Sequence, residues 1–383
     1  MVFGATPLDF EVRAVLRIKS VVCSLQIKRI ESQILLAEEK VFLMHIFHTS
    51  WTIYGVILAT LFAGNYSYGF EVARRNADLF LVGLDCAELE KETQSLSEWT
   101  KKTDNRKECL IQANPNANGL CEVRISDCIP NLVLKLHDFT PKHWGPNCWN
   151  TVLTMNKILP AIRKTTAKEM SFYLNSPLCR QLKDQETKNP GDIGNFQDYT
   201  FNRPIEYHSF IYISENMAFT KDGPSNRLPY LLRKTEDVFV GDYSMPLECR
   251  TSQLAKSCKK TLTYYRCSPI ESFLNQKSEK FSELLELHNH FVDFEMHLQS
   301  QILLGQAGND ENRNKFLEVV NEFSIYRQKS MSLGVRDDKE HRFLLDVVVF
   351  KLVGIQDQFS GVGDETAFRK ITELAPFVRD YWY

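Results

Sequence analysis

No excess of either charge sign marks this chain: 46 Lys and Arg stand against 48 Asp and Glu, a formal net charge of −2. That balance removes the electrostatic footprint of a nucleic-acid binder. A phosphate-cradling glycine loop is also missing. Gly361-Val362-Gly363 lacks the Lys-Ser/Thr continuation and comes after a helical pattern rather than a strand. No nucleic acid, cofactor or metal is therefore expected. Cysteine is absent after Cys267, so the C-terminal part has no disulfide bracing. Most telling, Val41 to Phe70 contains no Lys, Arg, Asp or Glu around the apolar stretch Trp51–Gly64. A charge-free run of that length reads as a secretory signal or a membrane anchor of about twenty residues. Lys19, Lys28, Arg29 and Lys40 precede it, which favours export of the C-terminal part of the chain. Met44 is an alternative start that would make 44–69 an ordinary signal peptide.

Cysteine usage agrees with an exported chain. Cys23 precedes the apolar run; Cys86, Cys109, Cys121, Cys128, Cys148, Cys179, Cys249, Cys258 and Cys267 lie beyond it. An odd set in an oxidising compartment leaves one thiol over. With Cys148 reduced, the others form four disulfides. Spacing does not determine their pairing; Cys258 with Cys267 and Cys179 with Cys249 are the expected two.

Cys148 is the residue that chemistry singles out. Gly145-Pro146-Asn147 is turn chemistry, and Asn147 ahead of the apolar run through Val152, Leu153 and Met155 reads as a helix N-cap. Cys148 then sits in the first turn, where free amides and the helix dipole favour a thiolate. His208 opens the alternating strand His208-Ser209-Phe210-Ile211-Tyr212-Ile213, and Met217–Thr220 returns beside it. Between them, Asn189-Pro190-Gly191-Asp192-Ile193-Gly194 is a turn leading into a strand. A cysteine and a histidine so far apart can act together only if the fold pairs them.

This order, over about residues 143–249, resembles the papain-like superfamily, specifically the NlpC-type cell-wall peptidases and their amidase relatives. The resemblance implies an α+β fold, with a papain-like core of a small antiparallel sheet and a nucleophile helix. It makes Cys148 the nucleophile and His208 the base. The family's third polar residue lies about a dozen positions past the base, which is Thr220 here, with Asp222 in reserve. Asn147-Cys148-Trp149-Asn150 departs from the family's usual Asp-Cys-Ser-Gly. The implied substrate is an amide bond in peptidoglycan stem peptides. Trp144 and Trp149 flank the nucleophile and are candidates either for groove walls or for core packing.

The chain divides into an N-terminal extension (1–43), a signal peptide or anchor (44–69), a disulfide-braced subdomain (70–140), the papain-like core (141–267) and a C-terminal helical bundle (268–383). Strands are expected over Leu132–Leu136, Leu228–Leu232 and Asp237–Val240. Helices are expected from Cys148 to about Ile158, over Ala161–Tyr173, and over Ser268–Leu304, Asn314–Met331, Lys339–Gln356 and Glu365–Trp382, with Pro376 ending or kinking the last. Glu286, His290, Asp293 and His297 share one helix face and read as a solvated surface. The functional expectation is an exported cysteine hydrolase. Its rivals are a thiol acyltransferase or non-wall amidase using the same dyad, and an inactive, secreted disulfide-rich binding or envelope protein whose helical bundle meets a protein partner.

Overall fold

The computed structural model describes residues 69–383 apart from 105–108, 117, 142–144, 200–203, 251–257, 277–280, 305–309, 333–337, 362–363 and 382–383. The expected extension (1–43) and all but the end of the expected signal or anchor (44–69) lie outside the described residues. Among those described, no helix is long and apolar enough to cross a membrane.

The chain enters through β1 (Phe70–Arg75) and β2 (Asp78–Gly83), a hairpin whose tight turn is supplied by Asn76 at φ 57°. Helix α1 (Cys86–Asp104) comes next, its first turn capped by the Asp85 carboxylate, which accepts from the amides of Ala87 and Glu88. β3 (Asn114–Pro115) and β4 (Cys121–Arg124) complete a four-stranded sheet in the order β1-β2-β4-β3. Disulfides Cys86–Cys121 and Cys109–Cys128 brace this region. Leu132–Leu136, expected as a strand, lies instead in helix α2 (Asn131–Leu136). Its buried residues, Val133 and Leu136, are three apart, and Pro130 fixes the entry; the apparent alternation of Leu and Val is incidental to that helical spacing.

Helix α3 (Cys148–Met155) starts at Asn147 and ends earlier than the spacing suggests. The stretch from Ala161 is not helical until α4 (Ala167–Leu174), because the Thr166 hydroxyl accepts from the Glu169 amide and sets the N-terminus there. Then come β5 (Cys179–Gln181), β6 (Ile193–Asp198), β7 (Ile205–Tyr212), β8 (Met217–Lys221), β9 (Tyr230–Lys234) and β10 (Lys260–Cys267). They form one antiparallel sheet in the order β5-β10-β6-β7-β8-β9. The stretch expected as a strand at Asp237–Val240 is a 3-10 turn, Thr235–Phe239, with two more at Gly241–Tyr243 and Leu247–Arg250. Its apolar pair, Val238 and Phe239, faces a second core without joining the sheet.

Strand β7 is buried on both faces, and its period-two alternation divides two cores. Ile211 and Ile213 join the main core with Val152, Leu153 and Phe219. Phe210 and Tyr212 join a smaller one with Phe196, Ala218, Phe239 and Leu262. Gly194 on β6 permits this: a Cβ there would stand 2.3 Å from the Phe210 ring.

The disulfides are Cys179–Cys267 and Cys249–Cys258, which corrects both expected pairings. β5 lies beside β10 with Cys179 and Cys267 in register, a long-range pairing that sequence spacing does not encode. The partition itself holds: four bonds, with Cys148 the free thiol among the described residues. Four disulfides suit an oxidising environment. Peptide mapping of the unreduced protein is expected to return these four pairs and a free Cys148. A Cys148 disulfide would remove the thiol from any chemistry.

After Cys267, the expected helix to Leu304 is two, α5 (Ile270–Asn275) and α6 (Ser282–Leu304). Three more complete the chain: α7 (Asp310–Ser332), α8 (Lys339–Gly361) and α9 (Glu365–Leu374). α9 ends before Pro376, which opens a 3-10 turn. The architecture is α+β, with antiparallel sheets and C-terminal helices. Val347, Val348 and Phe359 of α8 belong to the same main core as Val152 of α3, so Tyr68–Tyr383 is one compact unit.

Candidate functional site

The start of α3 is held by amides rather than by charge. The Asn147 side-chain oxygen accepts from the Asn150 amide at 3.0 Å, and its Nδ2 donates to the Thr165 carbonyl at 2.7 Å. Asn150 repeats the arrangement: Nδ2 donates to the Ala161 carbonyl at 3.1 Å, and Oδ1 accepts from the Arg163 amide at 3.1 Å. Cys148 is thus fixed at the first position of a capped helix, with its thiol buried (4 % exposed). Burial pushes the thiol up to about 12, and Asp222 adds to that. The backbone amides of Ser209, Trp149 and Cys148 itself pull the other way.

His208 lies on β7 one residue before Ser209, in phase with Phe210, and is fully buried (0 %). Its ring stacks on Tyr243, with centroids 3.9 Å apart and planes at 19°, and meets Phe196 at 5.5 Å. Burial, helped by Arg233, lowers its pKa to about 3, so the imidazole is neutral.

Thr220 assigns the tautomer. Its hydroxyl has one proton, donated to the Ser209 carbonyl at 3.1 Å, so toward His208 Nε2, 3.3 Å away, it is the acceptor. Nε2 carries the hydrogen, and Nδ1 keeps a lone pair with no hydrogen-bond partner. Asp222, the reserve third residue, is 3.9 Å from Nε2, but its carboxylate is bound by Arg233 at 2.6 Å.

The structure therefore brings His208 and Thr220 into contact on the Phe210 face of the sheet, and sets Cys148 against the backbone of Ser209 on the other face, where α3 packs. No hydrogen bond joins the thiol to the imidazole. Trp149 is half-buried and packs against the main core, and Trp144 lies outside the described residues. Among the described residues no group of His, Cys, Asp and Glu is placed to hold a metal ion.

Three features of the site escape a reading of the sequence. Lys221 has a signal: it continues the core-facing phase of Met217 and Phe219, where a charge is out of place. Arg163 has none, because a lone arginine in a polar stretch reads as surface. Tyr243 stands over His208 only through the fold.

Compared with known protein families, with curated proteins and with solved structures, the chain matches none.

Proposed function

We propose that the chain is an exported cysteine hydrolase of papain-like, NlpC-type design, cleaving amide bonds with peptidoglycan stem peptides as substrate. The observation that carries this reading is Cys148, the free thiol among the described residues, held at the first position of a capped helix where backbone amides favour its thiolate. His208, with Nε2 in contact with the Thr220 hydroxyl and Nδ1 without a hydrogen-bond partner, is the base this reading requires. The cysteine left reduced sits beside the next residue of the same strand.

In the proposed reaction Sγ attacks the carbonyl carbon and His208 accepts the Cys148 proton, which requires the imidazole to turn from the sheet face of Phe210 to the face covered by α3. Backbone amides at the start of α3 hold the oxyanion. The imidazolium returns its proton to the leaving amine, and water resolves the thioester with His208 again as base. At rest both groups are neutral, the thiol raised and the imidazole lowered by burial.

Incubating the protein with isolated stem peptides tests this: a new amine terminus is expected. Added amines that capture the acyl group in preference to water would make it an acyltransferase instead. The burial of both Cys148 and His208 favours a second reading, an inactive disulfide-rich binding protein; absence of turnover on any amide substrate would select it.

Thr220→Val is expected to slow turnover by less than about tenfold, the worth of one neutral hydrogen bond, about 1 kcal/mol. A loss as deep as that of Cys148→Ala would make Thr220 more than an orienting group.

A further inference from the structure

We propose that Lys221 is a positioning residue for Cys148, its buried ammonium fastening the loop that meets the nucleophile turn and supplying the positive charge against which the thiolate forms. The inference rests on the hydrolase reading and deepens it. Lys221 ends β8 with none of its surface exposed, in the strand phase of Met217 and Phe219. Nζ donates to the carbonyls of Gly223 and Ser225, both at 2.8 Å, and lies 5.9 Å from the centre of the Tyr230 ring. Between those carbonyls, the Pro224 oxygen accepts from the Gly145 amide at 3.1 Å. Gly145, at φ 146°, opens the turn that runs through Pro146 and Asn147 into Cys148. One ammonium thus ties the loop after β8 to the entrance of the nucleophile helix.

Two neutral carbonyls do not compensate a buried charge, and a Met would fill the same phase without that cost. The surrounding groups explain the ammonium. Cys148 on α3 is within electrostatic reach of it, and Asp222, the residue after β8, is the adjacent anion. Arg233 from β9 already binds Asp222. Tyr230 from β9 and His208 from β7 are neutral, the first raised and the second lowered by burial. With a neutral thiol, Lys221, Arg233 and Asp222 leave one positive charge in excess; ionising Cys148 balances the cluster. Burial draws the Lys221 pKa down to about 8, so the charge is present at neutral pH and lost above that value.

The test is native alkylation of Cys148 in the full chain by iodoacetamide, quantified on the Cys148 peptide by mass spectrometry, for wild type, Lys221→Met and Lys221→Gln. Both variants are expected to react at least about tenfold more slowly at neutral pH, one pKa unit of thiolate. The difference should shrink to about threefold or less near about pH 10, where Lys221 is deprotonated in wild type. Neutral-pH rates within about threefold of wild type, or an equal slowing at both pH values, would overturn the proposal; the latter is what lost packing alone produces. A second measurement needs no variant. In wild type the rate of iodoacetate relative to iodoacetamide should fall as pH rises through about 8, and a constant ratio would count against the charge. Turnover is scored separately. A wild type inactive on stem peptides but showing these alkylation effects sinks the hydrolase reading and leaves the Lys221–Cys148 coupling standing. An active wild type without them sinks the coupling alone.

Discussion

Glu295→Ala is expected to lower the unfolding free energy by about 3–5 kcal/mol, the cost of leaving buried cations without a partner. Glu295 on α6 accepts from Arg163 Nε, and its second oxygen is 3.8 Å from Lys351 Nζ on α8. Arg163 also binds both carboxylate oxygens of Glu169 on α4. All four side chains are at most 1 % exposed, and their formal charges cancel. Burial raises the Glu169 pKa and lowers that of Lys351, so the quartet is held together against desolvation and no member can be lost alone. Denaturant unfolding checks this through a lower midpoint. The same arginine lies on Gly354 of α8, where a Cβ would stand 2.4 Å from its guanidinium carbon, so Gly354→Ala should also destabilise. A Glu295→Ala midpoint equal to that of wild type would mean that the quartet does not join the C-terminal helices to the segment that carries Arg163 and α4.

The second large effect falls on activity with stability preserved. Cys148→Ala is expected to abolish turnover, a loss of about 10⁴-fold or more, while the melting temperature moves little, because one sulfur is removed from a site whose cap and core remain. His208→Ala should lose nearly as much, since an unassisted thiol is only a few per cent thiolate at neutral pH and this one is pushed up by burial. The double variant should be no slower than either single one, as groups acting as a unit are not additive. Steady-state rates on stem peptides, with circular dichroism melts as control, decide it. Multiplicative losses in the double variant would show that the two side chains act independently.

The legible parts of this fold are those written in local chemistry. Asn147 as N-cap, the hairpin of β7 and β8, and the end of α9 at Pro376 each stem from a few adjacent residues. The separation of one thiol from eight came from parity, and the partners did not, because the register of β5 against β10 joins residues 88 apart. Leu132–Leu136 misleads because a run of Leu and Val satisfies both a strand and one short helical turn, and Pro130 decides between them. The tautomer of His208 is not legible at all: it depends on where the Thr220 hydroxyl spends its single proton, a matter of strand register and carbonyl direction. Lys221 is marked by its strand phase with Met217 and Phe219, whereas the Arg163 quartet is hidden. Charged residues read as surface until the fold buries them.

The hydrolase reading stands on Cys148 carrying the acyl group. Rapid acid quenching during turnover of a stem peptide, then digestion and mass analysis of the peptide containing Cys148, observes this directly. A thioester on Cys148, with the mass of the acyl fragment and absent from Cys148→Ala, is the expected result. Hydrolysis proceeding while the Cys148 peptide stays unmodified, and persisting in Cys148→Ala, would contradict it.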